Sequence, residues 1–157
     1  MHLKLTIILI LLFSLQLSAK EIGPANPGDD RGWVAFGLGR DNAGDMSGNL
    51  SFNLGRTKIF QLAVHSNSTF MGKTKSVIYS ASPGISVAKQ FVRIALFLGP
   101  SVNYYPKRKT VPGLSGSTQF IFTPIKELGI GLNLFGSINS GDFISGVGIS
   151  FVLEGNK

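Results

Sequence analysis

The residues best suited to catalysis surround a single histidine. His65 begins the sequence HSNST, which places Ser66 and Ser68 one and three positions away. A serine can act as a nucleophile when a histidine takes its proton and a carboxylate orients the imidazole. The spacing here does not form a complete triad motif, so we expect His65 to lie on a rim or in a loop and predict no catalytic residues. The candidate carboxylates for a triad are Asp41, Asp45 and Asp142.

Metal and cofactor sites have little support in this sequence. The chain has no cysteine, and apart from His2 near the start, His65 is its one histidine. Asp41 and Asp45 in the sequence DNAGD could offer a loose contact to Ca²⁺, but further oxygen ligands are missing. We therefore predict no metal, no cofactor and no disulfide.

Basic residues outnumber acidic ones, with a formal net charge of +7 and a pI near 9.9. They are scattered between apolar segments rather than clustered on one element, which argues against a nucleic-acid partner. The densest group is Lys107, Arg108 and Lys109 in the sequence PKRK. This run could bind an anionic surface through simple electrostatics, or it could be a solvated loop tip.

The first 19 residues are typical of an export signal. A basic start at Lys4 precedes an apolar run over Leu5–Phe13 and the small pair Ser18 and Ala19. The run is shorter than the roughly 18 apolar residues that a membrane-spanning helix requires. We predict a signal peptide over residues 1–19 that is cleaved after Ala19. A retained membrane anchor is the alternative, and residues 20–31 form a polar lead-in.

The rest of the chain alternates between apolar residues and small or polar ones. In Leu128–Leu134, for example, leucine and isoleucine at even positions alternate with glycine and asparagine at odd positions. A period of two places the two sets on opposite faces of a β-strand. Pro83 lies inside the fourth run and could break it or mark a bulge. The predicted strands are Trp33–Arg40, Asn49–Gly55, Lys58–His65, Ser76–Ala88, Phe91–Tyr104, Thr118–Pro124, Leu128–Ile138 and Phe143–Leu153.

The residue types on the polar face of these strands indicate whether the apolar face contacts lipid or lines the interior of a soluble barrel. Only 15% of the 157 residues are charged, against roughly 25% in soluble domains, and there are 20 glycines. The polar face carries Gly, Ser, Asn and Gln, whereas a soluble barrel would place Lys and Glu there. Small polar side chains suit the narrow interior of an eight-stranded barrel, and an apolar face suits lipid. A soluble periplasmic barrel that carries an apolar ligand, with its apolar face inward, is the alternative.

In lipid, an open sheet edge would leave backbone groups unpaired. The prediction is therefore an all-β protein, a closed up-and-down antiparallel transmembrane β-barrel of about eight strands over residues 32–154, with a tail at 155–157. Arg93 is the one charge well inside a predicted strand. We expect it on the inward face as a structural plug, paired with backbone carbonyls, Asn103, Asn133 or a loop carboxylate across the lumen. The predicted polar residues of the lumen are Arg93, Asn133 and Gln119.

The connectors between the predicted strands alternate between short and long. The turns near Arg56, Gln90 and Lys126 are short, and longer loops span residues 41–48, 66–75 and 106–117. Outer-membrane barrels have short periplasmic turns and longer external loops, so both chain termini are expected in the periplasm. Four aromatic residues could belong to girdles at the membrane interfaces, although Trp33 has inward parity. They are Trp33, Tyr79, Tyr104 and Tyr105.

With its signal segment and strands such as LGIGLNLFGSI and FISGVGISFVL, the chain resembles the small outer-membrane barrels of the OmpA and OmpX kind over Gly32–Leu153. The resemblance implies the outer membrane of a Gram-negative-type bacterium as the location. It implies contact with membrane lipid, and possible contact of loops with lipopolysaccharide or surface ligands. Members commonly end on a terminal aromatic residue, whereas this chain continues past Phe151 as VLEGNK.

For function, we expect a non-enzymatic barrel with a structural or surface-interaction role that is carried by its exposed loops. The HSNST sequence also resembles the H-x-S arrangement of outer-membrane lipid acyl hydrolases, but Asn67 stands where their serine would be. A lipid-modifying barrel enzyme of the lipid A acyl hydrolase kind is therefore kept as the alternative function.

Overall fold

The computed structural model describes residues 32–55, 60–71, 75–89, 91–106, 110–125 and 127–155. Within these ranges no helix is long and apolar enough to cross a membrane. The predicted signal peptide over 1–19 and the lead-in over 20–31 lie outside the described residues. The strands are β1 Trp33–Asp41, β2 Met46–Gly55, β3 Phe60–Met71, β4 Ser76–Lys89, β5 Val92–Tyr104, β6 Val111–Ile125, β7 Leu128–Asn139 and β8 Phe143–Glu154.

The eight strands form a closed antiparallel barrel in sequence order. Each strand pairs with the next, and β8 returns to pair with β1 from Trp33↔Glu154 to Asp41↔Gly146. This β1–β8 seam closes the sheet, so none of the described strands is an open edge. The predicted all-β closed barrel of about eight strands is thereby confirmed. We call the end at which Gly32 and Gly155 lie the terminal end, and the other end the loop end.

The strands extend further toward the loop end than the sequence predicted. β6 begins at Val111 rather than Thr118, and β3 continues to Met71 rather than ending at His65. The predicted loops over 66–75 and 106–117 were therefore too long. Serine and glycine dominate these stretches and hide the alternation, but their backbones pair with both neighbours. The remaining connections at the loop end are residues 42–45, 72–75, 105–110 and 140–142.

Pro83 does not break β4, which runs without interruption from Ser76 to Lys89. Its Cα pairs with Leu62 of β3, and the β4–β5 register is the same on either side of it. Proline cannot donate a ladder hydrogen bond, so the strand tolerates it where pairing toward one neighbour lapses. No β4–β5 pair is formed between Ser80 and Gly84.

The two faces of the sheet have the polarity expected of a lipid-embedded barrel. Thirty large apolar side chains are exposed on the outward face among the described residues, with Leu54 67% and Ile149 64% exposed. Such a continuous apolar surface is far larger than a soluble monomer exposes. Most serines and asparagines of the described strands face inward and are buried. The soluble-barrel alternative required the apolar face inside, and on this point it is wrong.

Candidate functional site

The lumen is filled by two apolar clusters. The terminal cluster lies toward the terminal end and consists of Trp33, Ala35, Ala63, Ala95, Phe97, Ile121 and Val152. The loop cluster lies toward the opposite end and consists of Ile78, Tyr105, Phe135 and Ile144, with Val111 packed against it. Trp33 and Tyr105 are only 1% and 5% exposed, so these two candidate girdle residues are lumen fillers instead. Tyr79 and Tyr104 do face outward.

Arg93 reaches the terminal cluster and meets a carboxylate there. Its Nε lies 3.4 Å from Oε1 of Glu154, and its Cζ lies 4.5 Å from the centre of the Trp33 ring. Arg93 comes from β5, whereas Trp33 and Glu154 are cross-strand neighbours at the β1–β8 seam. The expected partners were backbone carbonyls, Asn103, Asn133 or a loop carboxylate across the lumen. The carboxylate that Arg93 meets belongs to Glu154, the last residue of the last strand.

Gln119 lies at the centre of a hydrogen-bonded network beside Arg93. Trp33 Nε1 donates to Gln119 Oε1 at 2.9 Å, and Gln119 Nε2 donates to Ser51 Oγ at 3.1 Å. Asn53 Nδ2 donates to Ser51 Oγ and to the Trp33 carbonyl. This network joins β1, β2 and β6 across the lumen. Asn133 also faces inward and is 5% exposed, with no hydrogen-bond partner for its Oδ1 among the described residues.

His65 lies in the middle of β3 with its side chain in the lumen, so its predicted rim or loop position is wrong. Its Nε2 is 3.4 Å from Ser117 Oγ, and its ring meets Phe97 edge-on at 5.1 Å. Ser66 and Ser68 have the opposite parity and face outward. Within the described ranges, no carboxylate is hydrogen bonded to His65. The serine that contacts His65 is therefore Ser117 of β6, and not Ser66 or Ser68, its neighbours in the sequence.

The Asp41 carboxylate, near the loop end, has local structural partners. Asp41 Oδ1 accepts from the backbone N–H of Ala43 and of Asp45, and its Oδ2 accepts from the hydroxyl of Thr69. These bonds stabilise the hairpin turn between β1 and β2, where Gly44 has a φ of 81°. The described residues contain no group of three or more metal-ligating side chains. Lys107, Arg108 and Lys109 lie outside the described residues.

The sequence analysis did not identify Glu154 or Ser117 as lumen residues, although the alternation of inward and outward positions along their strands could have identified both. Glu154 continues the inward series of Gly148, Ser150 and Val152, and Ser117 precedes Gln119 by two positions. Extending each predicted strand by one residue would have placed both side chains in the lumen. Their partners, however, come from strands far away in the chain. The pairing of Glu154 with Arg93 depends on the closed register.

No family model matches the chain, and none of the curated proteins matches it. Solved structures of outer-membrane barrels do resemble it. The N-terminal β-barrel domain of Pseudomonas aeruginosa OprF matches with a TM-score of 0.66 and 10% identity, covering 81% of this chain and 98% of that one. Ail, the attachment invasion locus protein of Yersinia pestis, matches with a TM-score of 0.59 and 9% identity, covering 80% and 99%.

The outer-membrane enzyme PagL has a similar fold, with a TM-score of 0.52 and 9% identity, covering 77% of this chain and 98% of that one. At these identities the likeness concerns the fold and not the activity. Enzymes and proteins named for attachment are both found among the similar structures. The chain has the closed eight-stranded barrel fold of small outer-membrane proteins.

Proposed function

We propose that this chain is a non-enzymatic barrel of the bacterial outer membrane, with a structural or surface-interaction role on its outside. The observation that carries this proposal is the filled lumen. The terminal and loop clusters occupy the two halves of the barrel, and Arg93 is held between Trp33 and Glu154. An eight-stranded barrel has room for its own side chains and little else. The surfaces left for function are the lipid-facing belt and the connections at the loop end.

The experiment that tests the membrane location is fractionation of cells that express the full chain, followed by electrophoresis of boiled and unboiled samples. We expect the protein in the outer-membrane fraction and a shift in migration on boiling, because a closed barrel resists unfolding in detergent. A soluble protein without this shift would contradict the proposal.

Contact with anionic lipid is the surface interaction best supported by charge. The connection between β5 and β6 contains Lys107, Arg108 and Lys109 and no acidic residue between positions 105 and 110. Attraction to phosphate groups would follow from simple electrostatics and would weaken with salt. Replacing the three residues by glutamine should weaken binding to lipopolysaccharide at low salt, and replacing Lys75 alone should have a smaller effect. Equal binding by the triple variant and the wild type would remove this role.

A lipid-modifying enzyme remains a second candidate because His65 and Ser117 approach each other and PagL shares the fold. Two features count against it. The pair has no carboxylate partner among the described residues, and both side chains are buried, with 3% and 7% exposed. Acyl chains on envelope lipids should be unchanged in cells that express His65→Ala instead of the wild type. Loss of a deacylated lipid species in that strain would favour the enzyme.

A further inference from the structure

A shallow groove of about 260 Å³ lies in the outward face of β5, β6 and β7. Gly116 and Gly136, which are paired across β6 and β7, form its floor. Leu96 and Leu134 form its apolar walls, and Thr118 adds one hydroxyl group. The groove interrupts an outward surface that is otherwise covered by large apolar side chains.

The barrel leaves room for a side chain at Gly136, whereas at Gly116 a side chain would be tight against the backbone. A Cβ on Gly136 would come no closer than 3.9 Å to any atom, and one on Gly116 would lie 3.2 Å from the Phe97 carbonyl oxygen. Neither residue has a positive φ. By contrast, a Cβ on Gly37 or Gly39 would fall 2.0 Å from a carbonyl oxygen of β8.

Glycine inside a strand weakens it and often marks close approach of a ligand or another backbone. Gly37 and Gly39 are explained by the close approach of β8, whereas among the described residues no atom lies closer than 3.9 Å to the Cβ position of Gly136. A ligand that enters the groove would account for the glycine at position 136, which internal packing does not require.

We propose that the groove holds one acyl chain of a membrane lipid. This inference rests on the proposed membrane location, and it assigns a specific contact within the lipid-facing belt. The groove is continuous with the apolar outward face of β5 and β7, so in a membrane its surroundings are hydrocarbon. Its volume exceeds the roughly 150 Å³ of an apolar cavity that holds benzene, which suits a segment of an aliphatic chain. A stable protein interface would need about 800 Å² from each partner, far more than one such groove offers.

The test is photo-cross-linking in vesicles of phosphatidylcholine that contain a small fraction of phosphatidylcholine with a diazirine in its acyl chain. The full chain is reconstituted and irradiated, and the labelled residues are mapped by mass spectrometry. We expect labelling of Leu96, Thr118 and Leu134 at least threefold above other outward positions. Gly136→Leu, alone or with Gly116→Ala, should reduce this excess to the level of the remaining belt.

Ala81→Leu is the matched control, because it places the same leucine side chain on the outward face of β4, away from the groove. It should leave the labelling pattern unchanged. Heat-dependent migration on a gel verifies that each variant still forms the barrel. Uniform labelling around the belt, or equal loss in Ala81→Leu and Gly136→Leu, would overturn the acyl-chain site.

Two further outcomes would also overturn it and can be told apart. Labelling of Leu96 and Leu134 below the level of the remaining belt would indicate that another copy of the chain covers the groove and excludes lipid from it. Absence of lipid adducts at every outward residue would instead refute the membrane location on which the site depends. Labelling of the belt without an excess at the groove refutes the site alone.

Discussion

The ion pair of Arg93 and Glu154 offers a direct test of how the barrel is held closed. Glu154 and Trp33 lie opposite each other at the β1–β8 seam, and the guanidinium from β5 contacts both. The two charged side chains are only 11% and 2% exposed. An exposed pair would contribute less than about 1 kcal/mol. At this burial, however, two charges about 4 Å apart attract by about 4 kcal/mol, before the cost of their desolvation.

Arg93→Met leaves a buried carboxylate without its cation and removes the contact with the Trp33 ring. Loss of one partner from a buried pair costs about 3–5 kcal/mol, so we expect the free energy of unfolding to fall by about 4 kcal/mol. In the double variant Arg93→Met/Glu154→Gln, neither charge is buried. Its stability should return to within about 2 kcal/mol of the wild type.

The assay is equilibrium unfolding by urea in phospholipid vesicles, followed by tryptophan fluorescence. Trp33 is the only tryptophan of the chain and lies beside the substituted residue, so its emission reports on the seam. Arg40→Met, at an exposed arginine near the loop end of β1, is the control and should change stability by less than about 0.5 kcal/mol. If the losses of stability in Arg93→Met alone and in Glu154→Gln alone add up to the loss in the double variant, the pair is not coupled and the reasoning fails.

Three other predictions follow from the packing of the barrel. Gly39→Ala should destabilise the barrel by about 1–3 kcal/mol or more because its Cβ would fall 2.0 Å from the Val147 carbonyl oxygen, whereas Gly136→Ala should be nearly neutral. Urea unfolding compares the stability of the two variants. Equal losses of stability would contradict this difference in packing around the two glycines. The wild-type chain in a planar lipid bilayer should carry no steady ion current, since both halves of the lumen are filled; stable current steps would show that a path exists. Tyr105→Ala should lower stability by about 3 kcal/mol by removing a large side chain from the loop cluster, and Tyr104→Ala, whose side chain faces outward, should cost much less in the same unfolding assay.

Alternation was sufficient to predict the barrel and the direction of nearly every described side chain within the predicted strands. It failed where one face loses its large apolar residues. Along Val111–Ser117, glycine, serine and proline obscure the period, so the first part of β6 was predicted as loop. The ladder formed with β5 and β7 extends the strand there, and such pairing depends on residues distant in the chain.

The contacts inside the lumen were less predictable than the side of the sheet on which each residue lies. Arg93 was placed on the inward face by parity, but its pairing with Glu154 requires the stagger of all eight strands. His65 shows the same limit. Its sequence neighbours Ser66 and Ser68 drew attention, yet the serine that it meets is 52 positions away on the far wall. Sequence adjacency in a strand places side chains on opposite faces, so nearby serines were the wrong candidates.

In the proposed membrane location, the brevity of the connections at the loop end limits how far the chain rises beyond the ends of its strands. A chain of three to six residues that must return to the next strand rises by about 10 Å at most. Any sugar or polymer layer thicker than that would cover the tips. A large soluble molecule would have to penetrate to the membrane plane before it could touch the chain. Lipids and small solutes, which already reach that plane, would meet no such steric barrier.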